Sequence, residues 1–147
     1  MDKQLVEKRF TRSLYDYDKA AFVQQQIART MLSLVEEHCS DLYDLVGRRP
    51  MISEFGCGTG YYSRLLAERY IPERLWLNDL CPELAALYDG GWSDREVAFQ
   101  AGDAETIAFP PLQDLITGCS AIQWFEKPSH FFERCTRFLR PRGWLAF

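Results

Sequence analysis

The sequence contains none of the features by which chains enter membranes or bind nucleic acids. Its apolar runs are far shorter than the roughly 20 residues of a membrane span, and residues 1–4 form no apolar signal segment. The 17 basic residues are fewer than the 21 acidic ones, giving a net charge of -4. They form no cluster that would attract a duplex or an anionic membrane. We therefore expect a cytoplasmic protein that binds neither nucleic acid nor membranes.

Residues that hold metals or form disulfides are also few. The two histidines, His38 and His130, have no nitrogen or sulfur ligand three or four residues further along. The five cysteines are odd in number and include no Cys-x-x-Cys pair, which is typical of reduced thiols. We expect no metal site. The composition, with 47% hydrophobic and 26% charged residues in 147, indicates one folded globular domain.

Before residue 48 the apolar pattern is helical. Ile27, Met31 and Val35 recur at four-residue steps and predict a long helix. Shorter helices are predicted within 5–14 and over 41–46. No strand is expected in this part of the chain.

After residue 48, short apolar runs alternate with helical patterns, which is typical of a parallel sheet with helical crossovers. We expect an α/β fold, with helices on both faces of an open, mostly parallel sheet. We treat the chain as a single domain, with N-terminal helices in 1–47 and the ligand-binding part in 48–147. The last predicted helix has an apolar face that reaches Phe138 and Leu139, and a turn is predicted at 141–143. The predicted strands are 51–55, 74–78, 97–100, 114–119 and 144–147.

The most informative segment is Glu54-Phe55-Gly56-Cys57-Gly58-Thr59-Gly60, where a predicted strand runs into three alternating glycines and then a helix. Glycine is needed where φ is positive or where a ligand lies against bare backbone, so this density favours a binding loop over a plain turn. Tyr61 occupies the third-glycine position of a dinucleotide fingerprint, and no lysine follows as in a phosphate-binding P-loop. Nicotinamide, flavin and nucleoside triphosphate ligands are therefore disfavoured.

Two acidic residues follow the next two predicted strands. Asp79 ends the second strand, about 20 residues after the loop, where a carboxylate can accept both hydrogen bonds of a ribose diol. Asp103 follows the third strand. Ligands of open α/β sheets bind at this edge, where the strands end. Each residue also has a simpler interpretation, Asp79 as a cap for the next helix and Asp103 as a turn residue.

Taken together, the glycine loop and the three carboxylates of Glu54, Asp79 and Asp103 resemble class I S-adenosylmethionine-dependent methyltransferases. The resemblance implies a Rossmann-like fold and S-adenosyl-L-methionine as cofactor. It also implies that Asp103 accepts the adenine amino group and that Glu54 lies near the methionine amino group. The residues expected to bind the cofactor are Glu54, Gly56, Cys57, Gly58, Gly60, Asp79, Leu80, Asp103, Ala104 and Ser120.

Two further segments narrow this resemblance. Phe10 and Tyr17 stand seven residues apart ahead of a glutamine-rich stretch, and Gln123-Trp124 follows the fourth strand. Both segments resemble the malonyl-acyl-carrier-protein O-methyltransferase family, which begins the pimelate branch of biotin biosynthesis. Ala20 departs from the family's usual histidine. The resemblance implies that Phe10, Tyr17, Gln123 and Trp124 contact the substrate or form a lid over it.

The same resemblance covers only the first part of such an enzyme. The chain ends on an apolar strand, an edge that natural domains normally cover or charge, so we expect it to be truncated, with the C-terminal strands of the sheet missing. The implied substrate is malonyl-acyl-carrier protein or malonyl-CoA. Two alternatives remain open: a methyltransferase for a quinone-type small molecule, and an inactive fragment that only binds cofactor.

The implied reaction requires little acid or base chemistry. A free carboxylate has a pKa of about 4 and is already an anion at neutral pH. Its methylation needs no general base, so no catalytic residue is assigned. Holding donor and acceptor in line is expected to be the main task of the protein.

Overall fold

The computed structural model describes residues 3–5, 7–8, 21–42, 47–89, 92 and 96–147. Residues 3–5 and 7–8 are helical, and 3-10 turns lie at Ser40–Leu42, Pro82–Leu84 and Ile122–Trp124. The α-helices after residue 20 are α1 (Ala21–His38), α2 (Tyr61–Tyr70), α3 (Ala85–Tyr88) and α4 (Pro128–Cys135). The strands are β1 (Met51–Phe55), β2 (Arg74–Asp79), β3 (Val97–Ala101), β4 (Gln113–Gly118) and β5 (Leu139–Ala146).

The five strands form one parallel sheet in the order β3-β2-β1-β4-β5. Ile52 in the central strand lies opposite Leu75 on one side and Leu115 on the other. From β1 the chain continues outward through β2 to β3, and it then crosses back to place β4 and β5 on the other side of β1. Such a reversal opens a crevice beyond the carboxyl ends of the central strands. The predicted α/β fold is confirmed.

Helices cover both faces of the sheet because successive strand residues point to opposite sides. Leu75 and Leu77 pack beneath α1, α2 and α3, whereas Trp76 between them packs with Phe131 of α4 on the other face. Phe55 and Phe131 are fully buried, with ring centroids 4.9 Å apart. Burial of a side chain of this size contributes roughly 1.5–3 kcal/mol. The two apolar layers hold β1 and β4 rigidly at the centre.

A salt bridge fastens the amino-terminal edge of the sheet. Both terminal guanidinium nitrogens of Arg48 donate to the Asp114 carboxylate at 2.6 Å, and the carboxylate also accepts the Met51 N–H at 2.8 Å. Burial alone would raise the pKa of Asp114, but these hydrogen bonds and the positive charge of Arg48 lower it. The carboxylate is thus ionised and paired at the end of the sheet opposite the crevice.

The last strand differs from its prediction. β5 begins at Leu139 rather than after a turn at 141–143. Its register with β4 shifts between Gln113 and Leu115, and Arg142 has a φ of 68°. The residues predicted as a turn therefore form an irregularity within the strand.

Several helix predictions also need correction or fall outside the structure's description. The last helix ends at Cys135, so Phe138 and Leu139 pack on the core from beyond it. The predicted helix over 41–46 is a 3-10 turn up to Leu42, and 43–46 lie outside the described residues. The predicted helix within 5–14 is described only at residues 5, 7 and 8, all helical.

No helix in the described ranges is long and apolar enough to cross a membrane.

Candidate functional site

A cavity of about 600 Å³ lies at the carboxyl ends of β1, β2, β3 and β4. Helix α1 forms part of its wall through residues such as Gln24, Gln25 and Ala28. Most of the residues predicted to bind cofactor or substrate line this one cavity, although they come from segments distant in sequence. They are Glu54, Gly56, Cys57, Gly58, Asp79, Leu80, Asp103, Ala104, Ser120, Gln123 and Trp124.

Of the other predicted residues, one is described but does not line the cavity, and two fall outside the described ranges. Phe10 and Tyr17 lie outside the described residues. Gly60 is the N-cap of α2 with a φ of 84°, and a Cβ there would lie 2.9 Å from the Tyr88 hydroxyl. Its geometry explains the glycine as a backbone requirement at the start of the helix.

The glycine loop between β1 and α2 combines a tight backbone with open space. Gly56 has a φ of 65°, and a Cβ there would lie 2.5 Å from the Ala121 Cβ. Gly58 has a φ of 53°, but nothing lies within 4 Å of the position of its Cβ. The Tyr88 hydroxyl donates to the Gly58 carbonyl at 2.6 Å. The hydrogen bond from Tyr88 thus fixes the loop, and the Gly58 backbone faces the cavity with no side chain over it.

Asp79 connects the end of β2 to this loop. One carboxylate oxygen accepts the Gly58 N–H at 2.9 Å, and the other accepts the Cys81 N–H at 3.0 Å. Cys81 is the N-cap of the 3-10 turn that follows, so Asp79 also helps to begin that turn. A carboxylate has about four acceptor positions, and two of them remain for a ligand in the cavity.

Glu54 is the most unusual electrostatic feature of the site. It is only 1% exposed, and its Oε2 atom has no hydrogen-bond partner. Burial, reinforced by the negative charge of Asp79, raises its pKa to about 8, although the nearby Ser63 hydroxyl opposes this. Ser63 Oγ likewise makes no hydrogen bond. A buried carboxyl group with one oxygen lacking a donor favours the binding of a proton or a cationic ligand group.

Asp103 lies after β3 and is engaged by a residue that the sequence did not point to. Its Oδ1 accepts the Glu105 N–H at 3.0 Å, and its Oδ2 lies 2.6 Å from Lys3 Nζ. The first contact is the predicted turn geometry. The second comes from the N-terminal helical segment, 100 residues away along the chain.

Asn78 is a further supporting residue that sequence reasoning missed. It is 1% exposed, and its Nδ2 donates to the carbonyls of Gln100 at 3.0 Å and Gly102 at 2.8 Å. These bonds fix the start of the loop that carries Asp103. A polar residue inside an otherwise apolar strand was the available signal, since a buried amide needs partners.

Helices α1 and α2 carry two arginines that lie in the cavity wall or contact it. Arg64 of α2 lines the cavity, donates to the Thr59 carbonyl at 3.3 Å and lies 5.7 Å from the Trp92 ring centroid. Arg29 of α1 donates to the Tyr61 hydroxyl at 2.9 Å. Within the described part of the chain, neither arginine forms a salt bridge with a carboxylate. Both could therefore bind an anionic group.

The cavity also contains thiols. Cys57 and Cys119 line it, and burial raises the pKa of both. Both thiols are therefore protonated and weakly nucleophilic at neutral pH. Over the described ranges, no three His, Cys, Asp or Glu side chains are grouped so that they could hold a metal ion.

The sheet order, the glycine loop after β1 and the acidic residues at the carboxyl ends of β1, β2 and β3 define a class I methyltransferase fold. The family described as "Methyltransferase domain" matches residues 53–147. This chain belongs to that family.

Similar curated proteins narrow the relationship. The chain is 44% identical over all 147 residues to the malonyl-[acyl-carrier protein] O-methyltransferase of Bacteroides thetaiotaomicron, and covers 54% of that protein. It is 38% identical over 149 aligned residues to the enzyme of the same name from Porphyromonas gingivalis, again covering 54% of it. The resemblance predicted from the sequence is confirmed. The chain spans about half the length of these relatives.

Solved structures agree on the fold. The N-methyltransferase NodS of Bradyrhizobium japonicum, in complex with S-adenosyl-L-homocysteine, has a TM-score of 0.68 at 20% identity, over 95% of this chain and 70% of that one. An S-adenosylmethionine-dependent methyltransferase of Clostridium acetobutylicum has a TM-score of 0.68 at 16% identity, over 92% and 55% of the two chains. At these identities the comparison establishes the architecture alone.

Proposed function

We propose that this chain is the cofactor-binding part of an S-adenosylmethionine-dependent methyltransferase that methylates the free carboxylate of a malonyl thioester. The observation that carries the proposal is the convergence of Glu54, Asp79, Asp103 and the bare backbone of Gly58 on one cavity. Relatives 38% and 44% identical that carry the name malonyl-[acyl-carrier protein] O-methyltransferase support the choice of substrate.

The polar groups of the cavity match the polar groups of the cofactor one by one. The buried Glu54 carboxyl, with its unpartnered oxygen, would receive the methionine ammonium group. The remaining acceptor positions of Asp79 would take the ribose hydroxyls, and those of Asp103 the adenine amino group. The open space above Gly58 would hold the methionine chain. Leu80 and Ala104 would lie beside the nucleoside.

Once bound, S-adenosylmethionine supplies a methyl group whose C–S bond breaks as the acceptor carboxylate oxygen forms the new C–O bond, with the electron pair passing to sulfur. The acceptor is already an anion, so the chain need not remove a proton. The described part of the cavity offers positioning instead, from the half-buried Trp124, from Gln123, which donates to the Ser120 carbonyl at 2.7 Å, and from the α1 wall.

The substrate assignment gains support from charge. A malonyl thioester brings a carboxylate, and its carrier or CoA part brings a phosphate. Arg64 lines the cavity, and Arg29 donates to the hydroxyl of Tyr61, which also lines it. Neither has a carboxylate partner among the described residues, so both would offer positive charge to an anionic substrate.

Calorimetry with S-adenosyl-L-homocysteine on this 147-residue chain tests the cofactor assignment. D79A should weaken binding by about 1.5–3 kcal/mol, because charge-assisted hydrogen bonds to the ribose are lost. D89A is the matched control, since Asp89 is exposed and does not line the cavity. Equal affinity of D79A and D89A for this ligand would remove Asp79 from the proposed site.

Methyl transfer tests the acceptor. Labelled S-adenosylmethionine should methylate malonyl-acyl-carrier protein or malonyl-CoA but leave the acetyl thioesters unlabelled, because acetyl groups lack the free carboxylate. Labelling of acetyl and malonyl thioesters alike would refute the acceptor assignment. Labelling of a quinone or phenol, with neither thioester labelled, would favour the alternative substrate class.

A further inference from the structure

Lys3 joins the N-terminal helical segment to the far end of the cavity. Its Nζ atom lies 2.6 Å from Asp103 Oδ2, forms a second ion pair with Glu105 and stands 5.8 Å from the ring centroid of Phe125. The Lys3 side chain is 20% exposed and lines the cavity beside Asp103 and Phe125. One ammonium group thus pairs with two carboxylates in a largely buried position.

The charges of this cluster stabilise one another. Burial lowers the pKa of Lys3, but its hydrogen bonds to Asp103 and Glu105 and their negative charges together raise it by more, so that the net shift is upward. Burial would raise the pKa of Glu105, but its bond to Lys3 and two backbone bonds lower it. Both groups are therefore ionised at neutral pH, in the form that the ion pair needs.

Glu105 extends the connection to a third segment. Its two oxygens accept the N–H groups of Glu126 at 2.8 Å and Lys127 at 2.6 Å, at the approach to α4. Glu105 therefore links the loop after β3 with the loop after β4, and Lys3 forms an ion pair with this linking carboxylate. At the carboxyl end of β2, the Cys81 thiol donates to the Glu7 carbonyl at 3.8 Å. The N-terminal segment is thus attached on two sides of the cavity.

The contact with Lys3 leaves Asp103 able to bind a ligand. Its Oδ1 already accepts the Glu105 N–H and its Oδ2 faces Lys3, but a carboxylate has about four acceptor positions. Lys3 thereby fixes the orientation of the Asp103 carboxylate without occupying all of it.

From this geometry we propose that Lys3 is a positioning residue for the nucleoside end of the cofactor. It orients Asp103, pairs with the Glu105 carboxylate that joins the loops after β3 and β4, and holds the N-terminal segment over the bound adenosine so that release is slow. This inference rests on the proposed function, because it assumes that the cavity binds S-adenosylmethionine with its adenine near Asp103.

The test compares K3M, K3R and K8M in the 147-residue chain. Lys8 belongs to the same helical segment but is exposed, so K8M removes the same charge without touching the cluster. The dissociation rate of S-adenosyl-L-homocysteine should rise about tenfold in K3M, the factor expected for the loss of one strong hydrogen bond. K8M should change the rate less than about twofold, and K3R, which keeps the positive charge, should restore most of the slow release.

Free adenosine provides a second readout that a merely structural role would not change. K3M should weaken adenosine binding by about the same factor as S-adenosyl-L-homocysteine binding, because Lys3 acts on the nucleoside end. Melting temperatures of all variants would show that each remains folded.

The possible results separate the two proposals. No binding of S-adenosyl-L-homocysteine by the unmodified chain overturns the proposed function and this inference together. Binding that K3M and K8M leave equal overturns the role of Lys3 alone. Tighter binding by K3M also overturns it, because Lys3 would then compete with the adenine for Asp103.

Discussion

Two buried carboxyl groups at opposite ends of the sheet have opposite environments. Asp114, at the amino-terminal end of β4, receives two guanidinium nitrogens of Arg48 and the Met51 N–H. Glu54, near the carboxyl end of β1, has an oxygen without any partner. The pKa of the first is lowered, whereas the pKa of the second rises to about 8. The Asp114 carboxylate is thus paired at the end of the sheet opposite the cavity, whereas Glu54 at the cavity keeps an oxygen without a hydrogen-bond donor.

The contrast separates stability from binding. A paired carboxylate contributes to the folded state, and removal of one partner leaves a buried charge uncompensated. An unpaired buried carboxyl group costs stability, and that cost can be recovered when a ligand supplies the missing cation. Substitutions at the two ends should therefore affect different measurements.

The largest expected effect is on folding, at the anchored end. D114A should lower the free energy of unfolding by about 3 kcal/mol, because the Arg48 guanidinium and the Met51 N–H lose their acceptor. Chemical denaturation followed by circular dichroism measures this change. D89A removes an exposed carboxylate and should change the same quantity by less than about 0.5 kcal/mol. Equal stability of the two variants would contradict the anchoring role of Asp114.

The next effect is on binding, at the cavity end. E54Q keeps the side-chain volume but cannot ionise to pair with an ammonium group, so it should weaken S-adenosyl-L-homocysteine binding by about 2 kcal/mol without destabilising the protein. E68Q makes the same change at an exposed position of α2. A ligand without the amino-acid end, 5'-deoxy-5'-methylthioadenosine, should bind E54Q and E68Q equally well. A loss of affinity for both ligands in E54Q would show that the effect is not specific to the ammonium group.

The pH dependence of stability should reveal the same contrast. Between pH 4.5 and 8 the folded protein keeps a proton on Glu54 that the unfolded chain has lost. The free energy of unfolding should therefore fall as pH rises in this window, by up to about 1.4 kcal/mol per pH unit. Asp114, whose pKa lies below 3.8, acts in the other direction and loses its contribution only in acid. The free energy of unfolding, measured by denaturation at pH values from 5 to 8, should depend less on pH in E54Q than in the unmodified chain. An unchanged pH dependence would mean that Glu54 is already ionised.

The smallest effect concerns the second cation near the anchor. Arg140 Nε lies 3.6 Å from Asp114 Oδ1 and donates to the Leu112 carbonyl at 2.8 Å. R140M should cost about 0.5 kcal/mol, as expected of a partly exposed pair. R137M, at an exposed position just before β5, is the control for a thermal melt. A loss as large as that of D114A would show that Arg140, rather than Arg48, holds the carboxylate.

The elements that sequence reasoning found are those whose signals are local. The strand Met51–Phe55 and the glycines that follow it could be predicted because a short apolar run and a dense group of glycines are properties of a few adjacent residues. Asp79 and Asp103 were found from their positions after strands. Asn78 could have been inferred in the same way, because a buried amide inside a strand must have partners.

The features that sequence reasoning missed depend on tertiary contacts. Nothing near Lys3 indicates that it will meet Asp103, since the approach depends on how the N-terminal segment packs over the sheet. The irregularity in β5 was predicted as a turn because proline and glycine at 141–143 are typical of both. Gly60 stays a predicted cofactor residue, but its backbone role, with a φ of 84° and the Tyr88 hydroxyl 2.9 Å from the position of a Cβ, could not be seen in the sequence.

The most direct test of the central claim is a crystal structure of this chain with S-adenosyl-L-homocysteine. The account predicts the ligand at the carboxyl ends of β1, β2 and β3, with its amino group within hydrogen-bond distance of Glu54 and its ribose hydroxyls on Asp79. The Asp114 pair at the other end should be unchanged. A ligand bound elsewhere, or one whose amino group points away from Glu54 and leaves its Oε2 atom without a partner, would contradict the account.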